Sequence, residues 1–250
     1  LISMLLPAIG KAREAGRAVA CGSNLHQMGV ALAGYTMDNK SFYPGDHREY
    51  SGSTITWVPR IRGYLGNNSS FFWCHSSPRE YRWQPRMDYP PPSPTAVYNP
   101  ERYGYLPGEQ PLTGTQVFFN YGYNGWGVED FARPHLGLGG HVESLEPGVT
   151  VSAAEKFYAE IRDYQVLVPS DMIAIADSKS DSLWDTWITP QPDASFSAPG
   201  ARHTKGAEVL LCDGHVRYFK QADLLDPGNE ALPIRAQKRQ RWNNDHKPHY

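Results

Sequence analysis

The chain has 250 residues, 40% of them hydrophobic, enough for one large domain or two modest ones with a real core. Its 24 basic and 26 acidic side chains leave a formal net charge of -2. No global positive field draws it to nucleic acid, and the basic run Arg235, Lys238, Arg239, Arg241 is too short to supply one.

From Leu1 to about Asn39 the pattern is helical. Leu5, Leu6, Ile9, Ala12, Ala15 and Val19, then Leu25, Met28, Leu32 and Tyr35, recur mostly at three- and four-residue steps, with Lys11, Arg13, Glu14 and Arg17 between them. The opening LISMLLPAIG lacks an initial Met and reads as the last turns of an apolar helix whose earlier part is missing. No stretch reaches the roughly 20 apolar residues that a membrane-spanning helix requires. Pro7 predicts a kink, and CGSN at Cys21 to Asn24 predicts a loosened or interrupted turn, with Ser23 able to cap a restart. The helix ends at DNKSFYPG, Asp38 to Gly45, where Asn, Pro and Gly arrive together.

After Gly45 the 23 glycines, 21 prolines and 15 tyrosines of the chain make themselves felt, in a pattern of strands and turns rather than a helical bundle. STITWVPRIRGYL and SSFFWC read as short strands, and Tyr89 to Gly108 as a long Pro-rich surface loop. TQVFFNYGYNGWG reads as a buried strand entering a Gly/Asn turn, SAAEKFYAEIRDY as a short helix, and DMIAIADS, Asp171 to Ser178, as a central strand. RHTKGAEVLLCDGHVRYF, Arg202 to Phe219, is the final strand pair, followed by the helix-like QADLLD and a polar tail. The fold class is α+β: a long N-terminal helix, residues 1–42, packed on a β-rich, loop-rich head with an antiparallel sheet, residues 43–250.

LLPAIGKAREAGRAVACGSNLHQMGVALAGYTMDNKSFYPG, Leu5 to Gly45, resembles the segment that follows the membrane-spanning part of type IV pilins. It resembles more closely that of the G-type pseudopilins of type II secretion, where the helix leads through a Tyr, an Asp-Asn and a Tyr-Pro into the globular head. His203, nine intervening residues and then Asp213-Gly214 resemble the His-x9-Asp-Gly motif of a large group of prepilin-like proteins. FFWCHSSP, NYGYNGWG, AIADS and RWNNDHKPH sit in the order expected of that group, so the resemblance covers nearly the whole chain.

The resemblance implies a structural subunit and not an enzyme, made as a prepilin, methylated, and placed in the cell envelope, extracellular or periplasmic. Its partners would be copies of itself, joined through their N-terminal helices in a pilus- or pseudopilus-like filament, and the secretion or pilus-assembly machinery. A membrane would be met only through a helical segment upstream of Leu1. The resemblance also implies a Cys21–Cys74 disulfide, because such proteins commonly carry cysteines at both positions, with Cys212 left over in a strand; three reduced, buried cysteines are the alternative. An apolar stripe this long exceeds what one small head can bury, so its N-terminal half needs a membrane or neighbouring helices while Leu25 to Met37 packs on the sheet. A helix wholly buried on its own domain is the other reading.

The opening question for chemistry is the last hairpin. Val209 to Cys212 and His215 to Phe219, joined by Asp213-Gly214, predict a two-residue type I′ turn. That register sets Cys212 opposite His215, Leu210 opposite Arg217, Leu211 opposite Val216 and Val209 opposite Tyr218. A catalytic set of His203, Asp213 and His215 lacks a recognisable nucleophile, since no Gly-x-Ser-x-Gly elbow occurs. A metal site would join His203, His215 and Asp177 if the AIADS strand neighbours the hairpin, and carboxylates with backbone carbonyls near the turn would suit calcium. No two cysteines have zinc-ribbon spacing. The plainer reading is that His203 bonds the Asp213 carboxylate or a backbone carbonyl and pins the preceding loop. Trp57, Trp73, Trp83, Trp126, Trp184, Trp187 and Trp242, with the tyrosines, belong either to the core or to a sugar-stacking platform or subunit interface. Two alternatives to the filament subunit follow: a surface-displayed module binding glycan or protein, and a metal-dependent hydrolase with Asp177, His203 and His215 in one open cleft.

Overall fold

A computed structural model of the chain describes residues 2–50, 53–85, 87, 100–113, 119–125, 136–139, 161–180, 185–191, 198–226 and 228–249. Its first element is a single helix, α1, Ile2–Asp38, of 37 residues. The expected interruption at Cys21 to Asn24 does not occur. Glycine in a helix interior costs only about 1 kcal/mol, and this stretch has more than that in tertiary contacts: Cys21 and Leu25 are fully buried, and Asn24 Nδ2 donates to the Trp73 carbonyl at 3.0 Å.

The buried stripe of α1 runs Cys21, Leu25, Met28, Leu32, Tyr35, alternating four- and three-residue steps along one face. The other end of the helix is different. Every side chain from Leu5 to Arg13 is exposed, and Glu14 is the first with a partner in the head. No helix among the described residues is long and apolar enough to cross a membrane.

Among the described residues, the head holds two antiparallel sheets. The smaller joins β1, His47–Tyr50, β2, Ser53–Thr56, and β3, Leu112–Thr113, in that order. The larger joins β4, Tyr121–Tyr123, β5, Ile173–Asp177, β6, Gly206–Leu211, and β7, Val216–Lys220, also in sequence order. β5 is an inner strand and buried throughout, as the AIADS run predicts for a strand covered on both faces.

Alternation along β6 assigns its two faces. Leu210 belongs to the core shared with Cys21, Leu25, Met28 and Leu32 of α1, whereas Ala207, Val209 and Leu211 pack with Ile173, Ile188, Phe219, Leu224 and Trp242 on the other side. The large sheet is thus a middle layer, with α1 on one face and the C-terminal elements on the other. Those are α3, Gln221–Leu224, and the helix Leu232–Arg239, here α4, in a tail expected to be only polar. Trp242 seals that face, fully buried, with its Nε1–H donating to the Leu224 carbonyl at 3.0 Å.

Of the two strands expected after Gly45, STIT at the start of the first is β2, while the rest of it and SSFFWC form helical turns. Trp57–Arg62 form a short helix, α2, and Ser69–Phe72 a 3-10 turn. Pro59 falls in the first turn of α2, where a missing N–H is harmless, while in a central strand it would remove a ladder bond. The Asn68 side chain accepts from Ser70 N–H at 2.9 Å and starts the second turn. Of SAAEKFYAEIRDY, residues 152–160 lie outside the described residues and Asp163–Gln165 form a 3-10 turn. Residues 89–99 of the Pro-rich stretch, 115–118 and 126–127 of TQVFFNYGYNGWG, with Trp126, and Trp184 also lie outside them.

The hairpin is one residue out of its expected register. Leu210 faces Val216, Val209 faces Arg217 and Glu208 faces Tyr218. Leu211 N–H donates to the His215 carbonyl at 2.8 Å and Gly214 N–H to the Leu211 carbonyl at 3.0 Å, so the loop holds three residues, Cys212, Asp213 and Gly214. Gly214 alone takes positive φ, at 90°. The Asp213 carboxylate accepts from His215 N–H at 3.0 Å, an Asx turn that makes the longer loop the better one for this sequence. Cys212 accordingly lies in the loop, not in a strand.

Candidate functional site around His203

The turn before β6 positions His203. His203 N–H donates to the Gly206 carbonyl at 3.1 Å and Gly206 N–H returns the bond at 2.9 Å, while Thr204 and Lys205 between them have φ of 50° and 67°. Positive φ at both central residues is the mark of the type I′ turn expected nine residues later. For threonine, branched at Cβ, that conformation is strained and persists because its surroundings hold it. Gly206 closes the turn where only glycine fits: a Cβ there would lie 2.2 Å from the Phe219 carbonyl oxygen.

The turn aims the imidazole inward, toward α1 and the end of β5, leaving the residue 1% exposed. Nδ1 lies 3.0 Å from Glu14 Oε1, and Nε2 lies 3.5 Å from Asp177 Oδ2 and 3.3 Å from Cys74 Sγ. Each ring nitrogen therefore faces a carboxylate oxygen. Cys74 is disulfide-bonded to Cys21 of α1 across 5.3 Å between Cα atoms. Cys74 is itself fixed by its N–H, donating to Asn120 Oδ1 at 3.0 Å. Asp177, fully buried, accepts at Oδ2 from Glu208 N–H at 2.9 Å. Its Oδ1 has no hydrogen-bond partner among the described residues. Burial raises the Asp177 carboxyl above the ordinary carboxylate range, against the opposing pull of Arg202 and His203. Glu208 is raised too, by burial and then by the Asp177 charge.

Of the residues singled out in the sequence, His203 and Asp177 come together, joined by Cys21 and Cys74. Asp213 and His215 do not join them. They pair with each other at the hairpin tip, His215 Nδ1 to Asp213 Oδ2 at 2.8 Å, where the His215 side chain is 78% exposed. The expected His203, His215 and Asp177 metal set is thereby corrected, and so is a His203 bond to Asp213: the two histidines sit at opposite ends of β6. Glu14 was missed, although a signal for it exists. It precedes Cys21 by seven residues and so lies on the same helical face. Trp57, Trp83 and Trp242 are buried and Trp73 and Trp187 are half-buried, so among the described residues tryptophan serves the core. Tyr103 and Tyr105 of the Pro-rich stretch are buried as well.

Residues 10–73 match the model of a family described as a protein of unknown function (DUF1559), which occurs among planctomycete pilin-like proteins, and the match supports a pilin-like relationship. That segment holds most of α1, two of the three small-sheet strands, β1 and β2, and α2. No curated protein and no solved structure matches the chain.

Proposed function

We propose that the chain is a structural subunit of a pilin-like filament in the cell envelope, extracellular or periplasmic, and not an enzyme. The observation that carries this reading is the division of α1. Its C-terminal half is locked to the head by the Cys21–Leu25–Met28–Leu32–Tyr35 stripe and by a disulfide, while Leu5, Leu6 and Ile9 stand 55%, 66% and 44% exposed on turns whose side chains are all exposed as far as Arg13. A helix rarely keeps such turns for solvent, and helices of neighbouring copies would cover them. The likeness of Leu5 to Gly45 to G-type pseudopilins points the same way, as does the match over residues 10–73. On this reading the partners are copies of the same chain and the machinery that assembles them. The hydrolase alternative draws no support from His203 and Asp177, which are buried and turned toward Glu14 and a disulfide. The test is electron microscopy of cells and sheared surface fractions from the native host, with an antibody to the head. Labelled filaments that vanish when the gene is deleted are expected, and a protein found only as dispersed monomers would overturn the reading.

A further inference from the structure

Cys21, Cys74 and His203 offer two sulfurs and an imidazole nitrogen that all lie within 4.8 Å of one another, and all three residues are buried. Reduced cysteines would bring two thiolates to that point. A tetrahedral zinc site with bonds of roughly 2.0–2.3 Å has ligand atoms roughly 3.3–3.8 Å apart. The 3.3 Å from Cys74 Sγ to His203 Nε2 is already one edge of such a tetrahedron. Asp177 Oδ2 lies 3.5 Å from the same nitrogen, a carboxylate beside the three-residue group and not within it.

The surroundings of the histidine complete the argument. A metal-bound histidine is held by a carboxylate on its other ring nitrogen, and Glu14 Oε1 stands 3.0 Å from Nδ1 while Nε2 faces the sulfurs. Asp177 is fully buried, and its Oδ1 has no hydrogen-bond partner among the described residues, so the carboxylate has an oxygen free to take a ligand. The groups come from α1, from the turn after Ser69–Phe72, from the end of β5 and from the turn before β6, so the fold and not local flexibility sets their spacing. Ligands that far apart in sequence leave no zinc-ribbon signature. Two sulfurs, one nitrogen and one carboxylate are a zinc set and unsuited to calcium, which takes six to eight oxygens.

We infer that, when its disulfide is reduced, the chain binds one zinc ion through Cys21, Cys74 and His203, with Asp177 turning in to supply the fourth ligand and Glu14 orienting the histidine. Disulfide and metal are alternative clasps of α1 to the head. The exchange balances: a phosphine reductant passes an electron pair to the S–S bond, takes oxygen from water to become the phosphine oxide, and leaves two thiols. Those thiols release two protons to solvent as the ion binds, and zinc stays divalent throughout. The inference is independent of filament assembly.

The experiment uses the whole chain, reduced anaerobically with a phosphine under partial denaturation, returned to native buffer and titrated with cobalt(II) as the optical probe. One cobalt per chain is expected, with thiolate charge-transfer absorption in the near ultraviolet, tetrahedral d–d bands in the visible, and displacement by zinc. The oxidised chain and the reduced Cys21→Ser/Cys74→Ser variant should show neither band. Glu14→Gln, partly exposed and so tolerant of exchange, should weaken binding about 10- to 100-fold. Octahedral spectra, cobalt uptake no greater than in the double serine variant, or equal affinities for parent and Glu14→Gln would each overturn the arrangement. If the reduced chain is unfolded without metal, zinc should restore its circular dichroism, and failure to do so would equally refute the site.

Discussion

Replacing Leu6 and Ile9 together by glutamate separates the two halves of α1 by experiment. Complete burial of an aliphatic side chain is worth about 1.5–3 kcal/mol. With Leu6 66% and Ile9 44% exposed in the single chain, covering both in a filament gains about 2–3 kcal/mol per subunit, before the added penalty of burying two carboxylates. The double variant should therefore assemble at least roughly 30- to 150-fold more weakly. Its fold should hardly change, since substitutions at exposed positions fall within about 0.5 kcal/mol. Assembly is read by sedimentation velocity and negative-stain microscopy, and folding by urea titration of the same preparations. Undiminished assembly with an intact fold would refute the assignment of the free energy to these turns. A loss of more than about 1 kcal/mol in folding stability would show instead that Leu6 and Ile9 pack on their own head.

Three other outcomes follow from the geometry. Cys21→Ser/Cys74→Ser removes a link between residues 53 apart in sequence and should lower folding stability by about 4 kcal/mol, seen as a drop in urea midpoint; a change under about 1 kcal/mol would contradict the loop-closure account. Burial would raise the Asp226 carboxyl, but Arg235 and Arg239 outweigh it and hold the group at about 2 instead of 3.8. The side chain is only 2% exposed and little screened, so the pairs contribute about 2 kcal/mol that is complete above pH 4 and lost as pH falls through about 2. Asp226→Asn should abolish that part of the acid dependence, and acid unfolding curves of unchanged shape would refute it. Burial pushes the Cys212 thiol to about 12, against the Tyr43 hydroxyl bond that lowers it, so a disulfide reagent at pH 8 should label this half-buried thiol far more slowly than an ordinary one. Immediate stoichiometric labelling would refute the assignment.

The parts of this fold legible in the sequence are those where one periodicity dominates. α1 and the buried run of β5 announce themselves because most of their inward positions are apolar, with Asp177 and Thr36 as exceptions. Where a stretch is short and apolar throughout, as in SSFFWC, period carries no information and the capping Asn68 was the better guide. The hairpin slipped because Asp-Gly fits a two-residue turn on sight, while the Asx bond from His215 N–H that favours three residues involves a side chain. α4 escaped notice because its ends are tied by ion pairs, Arg235 and Arg239 to Asp226 and Lys238 to Glu230, and not by an apolar stripe. The His203 site hid for a related reason: its members stand at positions 14, 21, 74, 177 and 203, and only the tertiary structure gathers them around one imidazole.

The His-x9-Asp-Gly spacing acquires a physical meaning from these contacts. His203 meets Glu14 near the start of the anchored part of α1. Further along, a Cβ on Gly22 would touch Glu208, and one on Gly29 would meet Leu210 and the backbone of Gly214. Contact thus advances in the same direction along both elements. From Glu14 to Gly29 the helix rises about 22 Å at 1.5 Å per residue, and the six residues of β6 span about 17 Å at 3.3 Å per step. The two ends of the motif mark the two ends of this shared length. One end fastens the helix by imidazole, carboxylate and disulfide, and the other turns the chain back where Gly29 leaves room. His203 and Asp213 are consequently separated by design of the strand between them, and their fixed interval reflects the length of helix that β6 must cover rather than a common active site.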